Sequence, residues 1–227
     1  MIHLLIATNN KDKIEELQDL LKDLNVQLVT PEQIGLDLDV VEDGLTYAEN
    51  AGKKALSFAR ASGLLSIADD SGLEVDALNG EPGLYSKRFS PKPNATDRDR
   101  RTYLLGKLHS YPRPWTARFK ATIAIVLPES SDNISRWSSS RETAYRDQAE
   151  TLRPLGSLRV THVEGSCEGE IIPEERGTGG FGYDPIFLFP ELGKTMAELS
   201  MDEKNRLSHR ARAVMKAKDV LKSLFTG

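Results

Sequence analysis

Asp69 and Asp70 stand side by side in Leu64-Leu65-Ser66-Ile67-Ala68-Asp69-Asp70-Ser71-Gly72, directly after a short apolar run. Adjacent carboxylates repel, so a pair held at the end of a buried strand calls for a cation or a transferable proton beside it. The carboxyl end of a strand in an α/β sheet is also where such folds place their chemistry. Asp, Ser and Gly after a strand are equally the residues of an ordinary turn, and this stretch alone does not separate the two readings. Upstream, Thr8-Asn9-Asn10-Lys11-Asp12-Lys13 puts two lysines at a helix start, where the macrodipole disfavours each by about 0.3–1 kcal/mol. An anion docked on the free N–H groups would account for them, with Thr8, Asn9 and Asn10 adding donors. The segment lacks the glycines of a Walker motif. A solvated helix start capped by Asn10 is the plainer alternative.

Farther along, Gly177-Thr178-Gly179-Gly180-Phe181-Gly182-Tyr183-Asp184-Pro185 surrounds one aromatic ring with glycines that permit close backbone approach. Phe181 is suited to stack on a base, a contact worth about 1–3 kcal/mol. A flexible loop with Phe181 turned into the core competes with that reading, although Asp184-Pro185 favours a fixed turn. Lys204, placed in the first turn of its helix, and His209-Arg210 add donors suited to purine carbonyls, or form a solvated face. Glu42, in the acidic loop Glu42-Asp43-Gly44, either brings a third carboxylate to the Asp pair or is simply solvated, as loop acids usually are. Lys54 follows Asn50 by four residues on one helix face.

Strands and helices must alternate to position these groups. Residues 2–7 read as a buried strand, and Ile14, Leu17, Leu20, Leu21 and Leu24 recur at helical spacing after it. Val26–Val29 is a second strand. Thr46-Tyr47-Ala48-Glu49 is a capping box opening a helix to about Gly63. Leu64–Ala68 and Leu73–Leu78 read as separate strands, and Thr96 opens a helix to about Leu108. Alternating apolar residues from Ala117 to Leu127 mark a long half-buried strand, answered by 159–172 and then 186–189. Ser200-Met201-Asp202-Glu203 is a second capping box, before a terminal helix whose stripe of Leu207, Ala211, Val214 and Leu221 is broken only by Lys218. Residues 129–158, with Ser138-Ser139-Ser140 and many charges, read as an inserted surface loop or partly disordered excursion. The order supports an α/β fold with a mixed sheet, since 117–172 is hairpin-like.

Bulk properties narrow the partners. The 227 residues are 39% hydrophobic and 28% charged with a formal net charge of −4, so no duplex-binding surface is expected and any phosphate site must be a local basic pocket. Cys167 is the only cysteine, which excludes an intrachain disulfide and a multi-cysteine metal site. The amino-terminal apolar run is too short for a signal segment, and no stretch is long enough to span a bilayer. The expectation is a cytoplasmic protein that binds neither nucleic acid nor membrane.

Thr8-x-Asn10-x-x-Lys13, Glu49-Asn50-Ala51, Ala68-Asp69-Asp70-Ser71-Gly72, Pro82-Gly83-Leu84-Tyr85-Ser86, Gly179-Gly180-Phe181-Gly182-Tyr183-Asp184-Pro185 and Ser208-His209-Arg210, in this order, resemble the inosine triphosphate pyrophosphatase family. Each stretch is weak alone, and jointly they are specific. The resemblance implies one domain over 1–227. Its fold would be a long central mixed twisted sheet flanked by helices, with two lobes, a nucleotide cleft between them and a homodimeric state. It implies hydrolysis of ITP, dITP and XTP to the monophosphate and pyrophosphate. By motif position, Thr8, Asn9, Asn10, Lys11, Asp12 and Lys13 would bind the triphosphate. Glu42 and Asp70 would hold Mg²⁺ with Asp69 close by, and Asp70 would accept the proton of the attacking water. Ser71 and Lys54 would contact substrate. Phe181, Gly182, Tyr183 and Asp184 would wall the base, and Lys204, His209 and Arg210 would complete recognition of the base and phosphates. Lys87 or Arg88 would add a phosphate contact, the choice staying open. Close rivals are a related pyrophosphatase for pyrimidine or methylated nucleotides and a non-catalytic nucleotide sensor. An aspartyl-nucleophile phosphatase would want Asp-x-Asp where Thr8-Asn9-Asn10 stands.

Overall fold

The computed structural model describes residues 1–128 and 159–225, and the excursion expected at 129–158 lies outside them. The chain begins β1 (His3–Ile6), α1 (Lys11–Leu21), β2 (Gln27–Val29), α2 (Tyr47–Ser62) and β3 (Leu65–Val75). It continues α3 (Asp97–Leu108), β4 (Trp115–Leu127), β5 (Arg159–Ile171), β6 (Phe187–Phe189), β7 (Lys194–Thr195), α4 (Met201–Leu207) and α5 (His209–Phe225). Among the described residues the strands form one seven-stranded sheet in the order β2-β1-β3-β4-β5-β6-β7. β1 lies parallel to β2 and β3, and every later pairing is antiparallel. The sheet is therefore mixed, with the long β4–β5 hairpin that the alternation in 117–172 implied. No helix among the described residues is long and apolar enough to cross a membrane.

Successive strand residues point to opposite faces, and the core follows that period. Leu4, Ile6, Leu65, Ile67, Ile123 and Ile125 pack with Leu17, Leu21, Val214 and Leu221 from α1 and α5. Farther along the same face, Leu73, Val75 and Phe119 meet Leu104 and Leu108 of α3. Leu5, Ala7, Ala68, Ala124 and Val126 lie on the other face under Ala51, Ala55 and Phe58 of α2. Each buried leucine or phenylalanine contributes about 1.5–3 kcal/mol.

Local differences from the sequence reading have physical causes. The two short strands expected around Gly72 are one, because β4 pairs with β3 without interruption from Ser66 opposite Val126 to Val75 opposite Ala117. Asp69 and Asp70 are thus mid-strand, not at a strand end. Gly72 is no turn residue: a Cβ there would overlap the Gly83 carbonyl oxygen and stand 2.7 Å from Tyr47 Oη. At the start of α2, Thr46 Oγ1 accepts from Glu49 N, but the Glu49 carboxylate takes the Leu45 N–H, so the box closes one residue earlier. The terminal helix is two helices. Ser208, at φ −69° and ψ 155°, breaks it and caps α5 by accepting from Ala211 N at 3.2 Å. Lys204 accordingly belongs to the last turn of α4, where the dipole favours a cation. Lys218 is satisfied by Asp23 at 2.6 Å.

Candidate active site

The period of two separates the adjacent aspartates. Asp70 points toward α2, where Lys54 Nζ lies 3.3 Å from Asp70 Oδ1, 2.9 Å from Glu42 Oε1 and 2.7 Å from the Asp69 carbonyl oxygen. The Glu42 loop is held there by α2, since Asn50 Oδ1 accepts from Gly44 N at 2.8 Å and Glu49 from Leu45 N at 2.7 Å. Burial pushes the Asp70 carboxyl up; the Lys54 and Lys13 charges oppose this, and the weaker repulsion of Glu42 and Asp69 adds to it. Lys54 is pushed up despite burial, because Asp70 and Glu42 both favour its charge. Two carboxylates sharing one ammonium, one of them short of positive charge, form an oxygen donor set suited to a hard divalent ion that also takes phosphate oxygens.

Asp69 faces the other way. Its side chain is fully buried, with Oδ2 at 2.8 Å from Lys13 Nζ and 3.0 Å from Arg210 Nη2. Ser71 Oγ donates to the same oxygen at 3.3 Å and accepts from Arg210 at 3.1 Å. Burial opposes ionisation of Asp69, but Arg210 and Lys13 outweigh it and hold its carboxyl far below the usual range. The expected trio Glu42, Asp69 and Asp70 does not converge here as three side chains on one face. Among the described residues no group of three or more His, Cys, Asp or Glu side chains gathers for a metal. Asp69 is an ion-pair hub on the opposite face from Asp70 and Glu42.

The hub extends to a residue the sequence reading missed. Glu16 pairs with Arg210 and, at 2.6 Å, with Lys204 Nζ, which also pairs with Asp184 Oδ2 at 2.7 Å. These cations hold the Glu16 carboxyl at about 2 against the pull of burial. Its one visible signal is position: Glu16 precedes Leu20 by four residues, on the buried side of α1. The loop bearing Phe181 rests on this network, since Asp184 Oδ2 also accepts from Phe181 N at 3.0 Å. Lys204 Nζ lies 5.3 Å from the Phe181 ring centroid and Arg210 Cζ 5.6 Å, within cation–π range. Beside the ring is a cavity of about 220 Å³ lined by Asp12, Glu16, Gly180, Phe181, Leu199 and Lys204, among others. Tyr183 Oη donates to the Ser86 carbonyl at 2.8 Å, tying this wall to the Pro82–Ser86 turn.

A family model described as the Ham1 family matches residues 4–220. This chain belongs to the Ham1 family. The resemblance carried by the motifs and this match agree. A relative named dITP/XTP pyrophosphatase from Desulforamulus reducens is 43% identical, covering 98% of this chain and 96% of its own. One of that name from Geobacter sulfurreducens is 41% identical, covering 97% of each. A solved HAM1 protein from Coxiella burnetii superposes with a TM-score of 0.77 at 35% identity, over 98% of this chain and 100% of that one. The Staphylococcus aureus Ham1 protein gives 0.73 at 34%, over 97% and 98%.

In this Ham1 chain the remaining sequence-derived residues fall into distinct places. Thr8 is buried and its Oγ1 accepts from Asn10 N, Asn9 Nδ2 tethers the Leu38 carbonyl, and Asn10 Oδ1 accepts from Lys13 N at 3.2 Å as the cap of α1. Lys11 and Asp12 are exposed on the first turn of that helix. The plain capping role of Asn10 and the proximity of Lys13 to the Asp pair thus coexist. His209-Arg210 is not a solvated face, as both are buried at the start of α5. The His209 ring stacks on Phe119 at 4.8 Å, and burial with the Arg210 charge lowers it to about 3, so it is neutral at pH 7. Its Nδ1 has no partner among the described residues. Arg88 Nη2 donates to the Glu42 carbonyl at 3.2 Å, with its guanidinium over Tyr85. Lys87 acts on Glu42 through its charge.

Proposed function

We propose that this chain hydrolyses ITP, dITP and XTP to the monophosphate and pyrophosphate, clearing non-standard purines from the nucleotide pool. The observation that carries the reading is the meeting of the two motif regions. Lys13, from the lysine cradle, reaches Asp69 Oδ2 at 2.8 Å while its charge also acts on Asp70 and Glu42 across the strand, and Arg210 links Asp69 to the Glu16–Lys204 network under Phe181. The names of the relatives from Desulforamulus and Geobacter support it.

Thr8 to Lys13 is assigned to the triphosphate, with Lys54 and Ser71 beside it. Lys87 is chosen over Arg88 as a further phosphate contact, because Arg88 is occupied in holding the Glu42 loop. Glu42 and Asp70 are the residues assigned to Mg²⁺, which when bound neutralises phosphate charge and polarises the α-phosphorus. Asp70, kept basic chiefly by burial, takes the proton of the attacking water as the water oxygen bonds to the α-phosphorus. The bond from that phosphorus to the bridging oxygen breaks, and pyrophosphate leaves against Lys11, Lys13 and Lys87. Phe181 stacks on the base, with Gly182, Tyr183 and Asp184 holding it. A 6-oxopurine offers an N–H beside its carbonyl, matched by the Glu16 carboxylate and the Lys204 and Arg210 donors. Adenine reverses both groups, leaving buried partners unpaired at about 1–3 kcal/mol each. Neutral His209 packs behind Arg210. The two-lobed cleft, a homodimeric state, a single domain and a cytoplasmic setting belong to the same proposal. The lone buried Cys167 supports a reducing compartment.

The test is a panel of nucleoside triphosphates with Mg²⁺, resolving monophosphate plus pyrophosphate from diphosphate plus phosphate. ITP, dITP and XTP should yield pyrophosphate at least about 30-fold faster than ATP, the factor for two mismatched contacts at the low end. Orthophosphate release, or faster turnover of dTTP and UTP, overturns the assignment.

A further inference from the structure

Gly182, the residue after Phe181, is gripped on both sides of its peptide by α3. Its N–H donates to Asp97 Oδ2 at 2.8 Å, and its carbonyl accepts from Arg101 Nη1 at 2.7 Å. Arg101 is itself locked: Nε and Nη2 form a two-pronged pair with Glu175 Oε1 and Oε2, each at 2.9 Å. That fork leaves Nη1 aimed at the loop. Arg101 is only 9% exposed. Asp97 sits at the first position of α3, behind a complete Thr96–Asp99 capping box, with its other oxygen engaged by Arg100. Neither Asp97 nor Arg101 lines the cavity beside Phe181.

We infer that Asp97 and Arg101 are positioning residues that fix the Phe181 ring for stacking, acting through the Gly182 peptide. This rests on the proposed reading of Phe181 as the base-stacking residue. The loop needs such fixing. Gly177, Gly180 and Gly182 all adopt positive φ, which glycine enters freely and leaves as freely. On the inner side Asp184 holds the Phe181 N–H, and on the outer side α3 holds the next peptide. Phe181 is thus suspended between two anchors on different elements, and a ring ordered before the base arrives lowers the entropy lost on binding. Phosphate binding, at β1–α1 and Lys54, shares no residue with the α3 clamp.

The discriminating experiment uses Arg101→Met, Arg101→Lys and Asp97→Ala in the full chain. Asp97, with a side chain 39% exposed, tolerates truncation, which keeps the test open if Arg101→Met fails to fold. Arg101→Met and Asp97→Ala should raise KM for ITP about tenfold with kcat within about twofold. The inhibition constant of inorganic tripolyphosphate, which has no base, should stay unchanged. Arg101→Lys, which keeps a donor but not the fork, should fall between wild type and Met. Hydrogen exchange at the Gly182 amide should rise at least tenfold in Asp97→Ala, a readout independent of activity. An unchanged KM together with unchanged exchange overturns the clamp. So does a parallel rise in the tripolyphosphate constant, which marks a general structural role. If wild type yields no pyrophosphate from ITP, the functional reading falls, and the exchange measurement still decides the clamp.

Discussion

Arg210→Met removes the guanidinium from a fully buried hub and should destabilise the fold by about 3 kcal/mol. The side chain is 1% exposed and pairs with Asp69 Oδ2 at 3.0 Å and with Glu16. At an effective dielectric of about 20, one such pair attracts by about 5–6 kcal/mol, before the desolvation that both partners have already undergone. Removing one member of a buried pair costs about 3–5 kcal/mol, because a charge stays behind. The low end applies here, since Asp69 keeps Lys13 at 2.8 Å and Glu16 keeps Lys204 at 2.6 Å. For a chain of this size that is a fall in Tm of about 6–12 °C, read by calorimetry and urea titration. The pH dependence is a second signature. Asp69 is held far below its unfolded value of about 3.9, and Glu16 at about 2 instead of about 4.3. Depressed carboxylates contribute stability above the unfolded pKa and lose it as pH falls through the folded one. Losing Arg210 raises both folded values, so the deficit of the variant should be full at pH 7 and shrink below about pH 4. A loss under about 1 kcal/mol, or a deficit constant down to about pH 3, would refute the hub.

Three further substitutions test the site. Phe181→Ala should raise KM for ITP about 5- to 150-fold with kcat little changed, the worth of one base–aromatic stack, and an unchanged KM would take the ring out of the base pocket. Asp70→Asn should cut kcat about 10²- to 10⁴-fold. Because burial raises the folded pKa of Asp70, its ionised form costs stability above the unfolded pKa; Tm at pH 7 should therefore hold or rise, and a fall of several degrees contradicts this sign. Gly180→Ala, at φ +67° with its Cβ overlapping Asp184 Oδ2 and 3.0 Å from Lys204 Nζ, should lose about 1–2 kcal/mol from the left-handed backbone alone. A urea midpoint equal to wild type would mean the loop is not held as described.

Helices and strands were legible wherever a period was long: Leu17, Leu20 and Leu21 on α1, and the alternation of β4. What the sequence hid were breaks and continuities decided by tertiary partners. Ser71-Gly72 looks like a turn and is strand, because β4 and the Gly83 backbone need the space. Ser208 looks like helix and is a break, because Arg210 must turn inward to Glu16 and Asp69. The residues that gather around Asp69 and Asp70 were recoverable as types at motif spacings. Their division of labour was not, because adjacency in sequence carries no information about which sheet face a side chain takes once the strand's end is misplaced.

That division has an electrostatic consequence. Around the site five carboxylates, Glu16, Glu42, Asp69, Asp70 and Asp184, face four cations, Lys13, Lys54, Lys204 and Arg210. The deficit is not spread evenly. Asp69 and Glu16, each touching two cations, are held ionised, whereas Asp70, which shares Lys54 with Glu42, is pushed up by burial. A polyphosphate brought beside a network already short of positive charge is repelled at any distance where the dielectric is low. Under the proposed function, a cation recruited together with the substrate would reverse that, and the proposal assigns it to the face of β3 that bears Asp70.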